Sequence, residues 1–111
     1  MIIKTEDYKI ENTDPNYSIL AGCLRLPSPS AYNKPFKEII ERIKDNKEYT
    51  IDLSELQFLN SSGLTSLARI FLIAKENKTE VTLLINEDIP WQKKNLGSLC
   101  MLWDRLIIKV K

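Results

Sequence analysis

The pattern of apolar and polar residues near the start of the sequence predicts a β-hairpin. Apolar and charged side chains alternate over residues 8–11, as they do in a strand with one buried face. Asp14, Pro15 and Asn16 then form a run of turn-favouring residues, and a mostly apolar run follows over residues 17–26. Two strand-like segments on either side of a turn indicate a hairpin.

Further along the chain, apolar residues recur every three or four positions, which predicts helices. The first helix is predicted from five residues that share one face: Tyr32, Phe36, Ile39, Ile40 and Ile43. A second helix is predicted from Ser61 to about Asn77. A third helix follows, with Asp88 as its N-cap and Pro90 in its first turn, where a missing N–H costs nothing.

Three more strands are predicted between and after these helices. Residues 49–53 and 80–85 are short runs rich in apolar and β-branched side chains, and apolar side chains occupy every second position of residues 106–110. The resulting order is ββαβαβαβ. We therefore predict one α/β domain over residues 1–111, with a mixed sheet of about five strands, helices packed on the sheet, and parallel pairing of its later strands.

The composition is that of a soluble globular protein, because 43% of the residues are apolar, 28% are charged and the formal net charge is +1. No block of like charges forms the basic face that nucleic acid requires. No secretory leader is recognisable, and the longest apolar stretch, residues 67–74 interrupted only by Arg69, is far shorter than the roughly 20 residues of a membrane span. Cys23 and Cys100 lie far apart and form no CxxC motif, which fits the reducing cytoplasm, and we interpret both as buried free thiols. We expect a cytoplasmic monomer that binds neither nucleic acid nor membranes.

Residue types that are absent exclude the common catalytic and ligand sites. The sequence contains no histidine, so it cannot form a Ser-His-Asp triad, a Cys-His pair or a histidine-containing metal site. Gly22, Gly63 and Gly97 are too scattered to form a nucleotide-binding glycine loop. We therefore expect no enzymatic activity, no catalytic residue, no metal and no cofactor.

A cluster of small polar residues marks one candidate site. Asn60, Ser61 and Ser62 precede Gly63 where a loop is predicted to lead from a strand into the second helix. Each of these three polar side chains could cap the helix. A second interpretation is a phosphorylation site, because the free N–H groups and the dipole at a helix start favour negative charge. A phosphate there would disrupt a partner surface that fits the neutral serine.

Two segments around this cluster form a longer motif, Asp52-Leu53-Ser54 followed by Phe58-Leu59-Asn60-Ser61-Ser62-Gly63-Leu64. The motif resembles the signature of STAS domains, in particular bacterial anti-sigma factor antagonists. The resemblance implies a regulator in a partner-switching cycle, in which a serine kinase that is also an anti-sigma factor-like protein phosphorylates the antagonist. A metal-dependent serine phosphatase reverses the modification. The resemblance assigns Ser61 as the phosphoacceptor and implies that the unphosphorylated form binds its partner.

The partner is expected to contact the start of the second helix. The residues predicted to take part are Asn60, Ser61, Ser62, Gly63, Thr65 and Arg69. Ile70 or Ile73 could add an exposed apolar patch, although packing under the sheet explains both residues as well.

Two features depart from the family pattern. Asn60 stands where the family usually has Asp, and the sequence ends on its last strand where the family usually carries one more helix. Two other functions stay open. One is a STAS-like scaffold or sensory module that is never phosphorylated. The other is a binder of a small anionic ligand at the same helix start.

Overall fold

One mixed sheet organises the protein, for which a computed structural model describes residues 2–111. Its strands are β1 (Ile2–Lys4), β2 (Tyr8–Asp14), β3 (Tyr17–Leu24), β4 (Glu48–Leu59), β5 (Glu80–Ile85) and β6 (Leu106–Val110). They lie in the sheet in their sequence order. The pairs β1–β2 and β2–β3 are antiparallel, whereas β3, β4, β5 and β6 run parallel.

Three α-helices connect the parallel strands within the described residues. They are α1 (Asn33–Asp45), α2 (Ser61–Asn77) and α3 (Pro90–Leu99), with short 3-10 turns at Pro29–Tyr32 and Cys100–Leu102. Each helix joins two neighbouring parallel strands, and such connections share one hand, so all three helices cover the same face of the sheet. The core lies between this face and the helices, and Tyr32, Phe36, Tyr49 and Phe71 are among its largest buried side chains.

The structure confirms the predicted α/β class, the hairpin and the mixed sheet, but it has six strands where about five were predicted. The additional strand is β1, which is only three residues long and pairs with β2 through Ile3 opposite Ile10. A segment this short has no periodic pattern of its own. Its strand conformation therefore comes from pairing with β2, which the local sequence does not reveal.

The strand β4 is longer than predicted, because the segment expected to be a loop after residue 53 continues as a strand to Leu59. Pairing with β5 ends at Asp52 opposite Leu84, while pairing with β3 continues as far as Leu24 opposite Leu59. Two register shifts interrupt the β3–β4 pairing. The second half of β4 therefore lacks a strand on one side.

Two side chains of α3 supply the hydrogen bonds that this side of β4 lacks. The fully buried Gln92 donates from Nε2 to the carbonyl oxygens of Leu53 (2.6 Å) and Leu56 (3.0 Å). Trp91 donates from Nε1 to the Leu56 carbonyl oxygen at 2.9 Å. The Gln92 Oε1 accepts a hydrogen bond from the Asn86 N–H at 2.9 Å. Buried main-chain groups need partners, so these contacts fix α3 against β4.

Several smaller predictions can be compared with the structure. Pro90 is the first residue of α3 as expected, but Ile89 and not Asp88 precedes it as the N-cap. The Asp88 N–H instead donates to the Asn86 side-chain oxygen in a tight turn. Ile70 is fully buried, so it cannot form an exposed patch.

Cys23 and Cys100 are free thiols that are partly rather than fully buried. No helix within residues 2–111 is long and apolar enough to cross a membrane.

We expect Gln92→Leu to destabilise the fold by about 3 kcal/mol, because it leaves the buried Leu53 carbonyl and the partly buried Asn86 N–H without their hydrogen-bond partners. Lys93→Leu is the matched control, since Lys93 is exposed on the same helix and surface substitutions usually change stability by less than about 0.5 kcal/mol. Urea unfolding of both variants measures the difference. Equal stability of the two would contradict the role of Gln92.

Candidate functional site

The candidate site lies where β4 ends and α2 begins, and Asn60 organises it. Asn60 has an extended backbone and is the N-cap of α2. Its side-chain oxygen accepts a hydrogen bond from the Gly63 N–H at 2.9 Å, and its main-chain oxygen accepts one from Leu64 at 2.9 Å. Of the three polar residues that could cap the helix, Asn60 is the one that does so.

The Asn60 side chain also holds two other segments of the chain. Its oxygen accepts a second hydrogen bond from the Tyr32 hydroxyl at 2.7 Å, and its nitrogen donates to the Leu26 carbonyl oxygen at 2.8 Å. The Leu26 N–H in turn donates to the Tyr32 hydroxyl at 3.2 Å. Burial raises the pKa of Tyr32, so the phenol stays protonated and can donate. The amide of Asn60 thus joins the segment that follows β3, the turn before α1 and the start of α2.

Tyr32 was predicted as a core residue of the first helix, and its place at this site was not predicted. It lies at the end of the 3-10 turn, and its ring packs against Phe36 at a centroid distance of 5.2 Å. The apolar spacing accounts for the ring but carries no information about the hydroxyl. The partner of that hydroxyl is 28 residues away in sequence, so only the folded chain identifies it.

Gly63 allows the start of α2 to pack closely on its surroundings. A Cβ atom at this position would clash with Leu59 Cδ1 and would lie 2.8 Å from the Tyr32 hydroxyl oxygen. Both contacts are closer than a carbon atom allows, so any larger residue would displace the helix or the tyrosine. Gly63 is buried at the start of α2 and allows Leu59 and Tyr32 to pack against it. Its contact with a partner stays a prediction.

The side chains of the two serines in the cluster do not cap the helix. Ser61 is exposed and is the first residue of α2, while Ser62 is partly buried. Within residues 2–111 no hydrogen bond involves the hydroxyl group of either residue. Asn60 supplies the cap, so both hydroxyls are available for other chemistry.

Ser61, Thr65 and Arg69 follow one another at intervals of four residues, which places them on one stripe at the accessible side of α2. The Thr65 hydroxyl donates to the Ser61 carbonyl oxygen at 3.1 Å, and Arg69 donates to the Asn33 side-chain oxygen on α1 at 2.9 Å. This stripe, Ser61-Thr65-Arg69, is the accessible surface of the predicted site. Asn60 and Gly63 hold the first turn of α2 in place, through the cap and through close packing.

Comparison with known proteins identifies the architecture. No protein-family model matches the sequence, and no curated protein matches it either. Among solved structures, the fold is similar to the crystal structure of an anti-sigma factor antagonist from Mycobacterium paratuberculosis. The TM-score is 0.61 at 19% sequence identity, over 90% of this chain and 83% of that chain. The chain has a STAS-type fold, that of an anti-sigma factor antagonist.

In this STAS-type fold, the first residue of the motif lies on the sheet face opposite α1, α2 and α3. Asp52 is only 2% exposed, although its neighbours Thr50 and Ser54 are partly accessible. Its Oδ1 accepts hydrogen bonds from the Ser54 N–H (2.9 Å) and hydroxyl (2.7 Å), and its Oδ2 lies 2.6 Å from Lys111 Nζ. Burial raises the pKa of Asp52, but the hydrogen bonds from Lys111 and Ser54 outweigh it, and the pKa lies below its ordinary value.

The described residues contain no group of three or more His, Cys, Asp or Glu side chains that could hold a metal ion. A cavity of about 740 Å³ lies between β1, β2 and α1, away from Ser61. Its walls combine the apolar side chains of Ile3, Tyr8 and Pro35 with lysines and glutamates of α1.

We expect Gly63→Ala to destabilise the fold by about 1–3 kcal/mol, the usual cost of overpacking, because its methyl group has no room. Gly97→Ala is the matched control. Gly97 lies in α3, and a methyl group added there would meet no atom within 4 Å, so alanine should stabilise by about 0.5 kcal/mol. Thermal unfolding of both variants measures the two opposite shifts. A neutral Gly63→Ala would contradict the close packing described above.

We expect the Asp52–Lys111 pair to stabilise the fold between two pH limits. Asp52 has a lowered pKa in the folded state, so its contribution is present above the ordinary value of about 3.9 and is lost as pH falls through the lowered value. Hydrogen bonding to Asp52 raises the pKa of Lys111, so its contribution is lost as pH rises through that raised value. Lys111→Gln should lower the free energy of unfolding at neutral pH. It should also make that free energy fall less steeply as the pH is lowered through the acid range. The check is urea unfolding at several pH values, with Lys109→Gln as control.

Proposed function

We propose that this protein is a phosphorylation-controlled, protein-binding regulator of a bacterial partner-switching pathway in the cytoplasm, like an anti-sigma factor antagonist. Its unphosphorylated form binds an anti-sigma factor-like serine kinase, and phosphorylation of Ser61 releases it. A metal-dependent serine phosphatase restores the binding form. The observation that carries the proposal is the exposed, unbonded Ser61 hydroxyl at the first position of a helix that Asn60 already caps.

A phosphate on Ser61 would change the surface without unfolding the site. The first turn of a helix offers free N–H groups and the positive end of the dipole, which favour negative charge. Phosphorylation adds about −1.5 to −2 charges to a surface formed by Ser61, Thr65 and Arg69. Like-charge contact or unpaired charge in an interface can cost several kcal/mol, and about 1.4 kcal/mol is a tenfold change in affinity.

The asparagine at position 60 fits this proposal. Its nitrogen must donate to the Leu26 carbonyl oxygen, and an ionised carboxylate has no hydrogen to donate. An ionised aspartate at this position would therefore place a carboxylate oxygen next to the Leu26 carbonyl oxygen, and two acceptors repel each other. Asn60 keeps the cap and places no like charge next to a phosphate on Ser61.

The second candidate is a STAS-like scaffold or sensory module whose serines are never modified. Asn60 favours it in one respect, because kinases of the family usually meet an acidic residue immediately before the target serine. In this alternative the Ser61-Thr65-Arg69 stripe binds a partner permanently. The two candidates differ in whether phosphate is ever found on the protein.

We expect intact-mass spectrometry of the protein isolated from its native cells to detect one phosphate, and peptide mapping to place it on Ser61. Ser61→Ala should abolish it, whereas Ser62→Ala should leave it in place. Absence of phosphate in every growth condition, from folded protein, would favour the scaffold. Phosphate that persists in Ser61→Ala would contradict the assignment of the residue.

We expect Ser61→Asp to reduce the amount of kinase that the protein captures from native extract by at least about tenfold, equivalent to about 1.4 kcal/mol. Ser61→Ala should capture as much as the wild type. Ser98→Asp is the matched control, because it adds the same charge at an exposed serine of α3. Equal capture by Ser61→Asp and the control would contradict a charge switch at Ser61.

A further inference from the structure

The strand β6 forms one outer edge of the sheet, and within residues 2–111 half of its main-chain groups have no strand to pair with. The Arg105 carbonyl oxygen accepts from the Val81 N–H at 3.1 Å, and the Lys111 N–H donates to the Ile85 carbonyl oxygen at 2.9 Å. Main-chain groups of successive strand residues point to opposite sides. The odd-numbered residues of β6 therefore face β5, and the N–H and C=O groups of Ile108 and Val110 point outwards.

This edge lacks three of the features that usually prevent edge-to-edge pairing, namely prolines, bulges and a very short strand, although it does carry the exposed Lys109. The β6 segment is five residues long, contains no proline and pairs with β5 in unbroken register. Ile107 is 37% exposed and Val110 is 58% exposed. The opposite edge is different, because β1 spans only three residues.

We propose that β6 pairs antiparallel with β6 of a second copy of this chain, around a twofold axis at Ile108. This homodimer would have a continuous sheet through both copies, in place of the monomer expected from the sequence, and it is independent of the proposed function of Ser61. Ile108 would form a hydrogen-bonded pair with Ile108 of the second copy. The Val110 N–H would donate to the outward Leu106 carbonyl oxygen of the other copy, which gives four main-chain hydrogen bonds in all.

The side chains of β6 suit this register on both faces. On the helix-covered face, Leu106 would lie opposite Val110 of the second copy, and the two Ile108 side chains would meet. All of these residues are apolar, and cross-strand apolar pairs stabilise sheets. On the uncovered face Ile107 would lie opposite Lys109, so no two lysines at position 109 face each other directly.

The charges at the two ends of the paired strands are already compensated within each copy. The register places Arg105 opposite Lys111 of the second copy, which would be unfavourable for two free cations. Arg105, however, pairs with Glu80 at 3.4 Å, and Lys111 pairs with the buried Asp52 at 2.6 Å. Self-pairing therefore brings together two ion pairs rather than two isolated positive charges.

We expect the wild-type chain to form a concentration-dependent dimer in sedimentation equilibrium. Ile107→Lys would place a lysine opposite Lys109 of the second copy, and we expect it to raise the dimer dissociation constant at least about tenfold. Ile107 is partly exposed on the uncovered face, so the fold should be retained, which circular dichroism verifies. Ile2→Lys is the matched control, because Ile2 is 57% exposed on the opposite edge; it should dimerise like the wild type.

A charge exchange tests the register itself. In Ile107→Lys combined with Lys109→Glu, each new lysine would lie opposite a glutamate of the second copy, so the dimer should return. A wild-type chain that stays monomeric at all concentrations would overturn the proposal. A dimer that is weakened by Ile2→Lys and not by Ile107→Lys would overturn it too, because its interface would be the β1 edge. Failure of the charge exchange to restore a dimer lost in Ile107→Lys would refute the register.

Discussion

The side-chain amide of Asn60 is the contact on which the arrangement of the candidate site depends. It accepts hydrogen bonds from the Gly63 N–H at the start of α2 and from the Tyr32 hydroxyl in the turn before α1, and it donates one to the Leu26 carbonyl oxygen just after β3. Each of these segments would otherwise leave a polar group without a partner at the carboxyl end of the sheet. An amide does this because it carries both an acceptor and a donor, whereas a carboxylate carries acceptors alone.

This arrangement separates the groups that hold the site together from the groups that are accessible on it. Asn60, Gly63 and Tyr32 are engaged in capping and close packing, while Ser61, Thr65 and Arg69 lie outside on α2. Because the cap does not depend on a serine, the proposed phosphorylation of Ser61 would alter the charge of the surface without removing the cap. A rigid support with a chemically free hydroxyl is what a covalent switch requires.

The sequence predicted those elements whose pattern is strong and local, and it missed those that distant residues create. The apolar spacing and the polar cluster before Gly63 placed α2 at Ser61–Asn77, as observed. The second half of β4 was missed because distant residues hold it: β3 pairs with one side, and Gln92, more than 30 residues later, bonds to carbonyl groups on the other. The role of Tyr32 was missed for the same reason. Asn60 was recognised as a possible cap, but its donation to Leu26 has no signal in the sequence.

The position of β6 relative to Ser61 determines whether a β6-paired dimer would leave the proposed partner surface accessible. Ser61 lies beyond the carboxyl end of β4, and β6 is two strands away, about 10 Å across the sheet. The free edge of β6 points sideways in the sheet, whereas the Ser61-Thr65-Arg69 stripe lies on α2. Pairing through β6 would therefore leave both stripes accessible and hold them at a fixed spacing. A partner that is itself dimeric would then bind the second stripe at high effective concentration, so phosphorylation of one copy would weaken an interaction that depends on both.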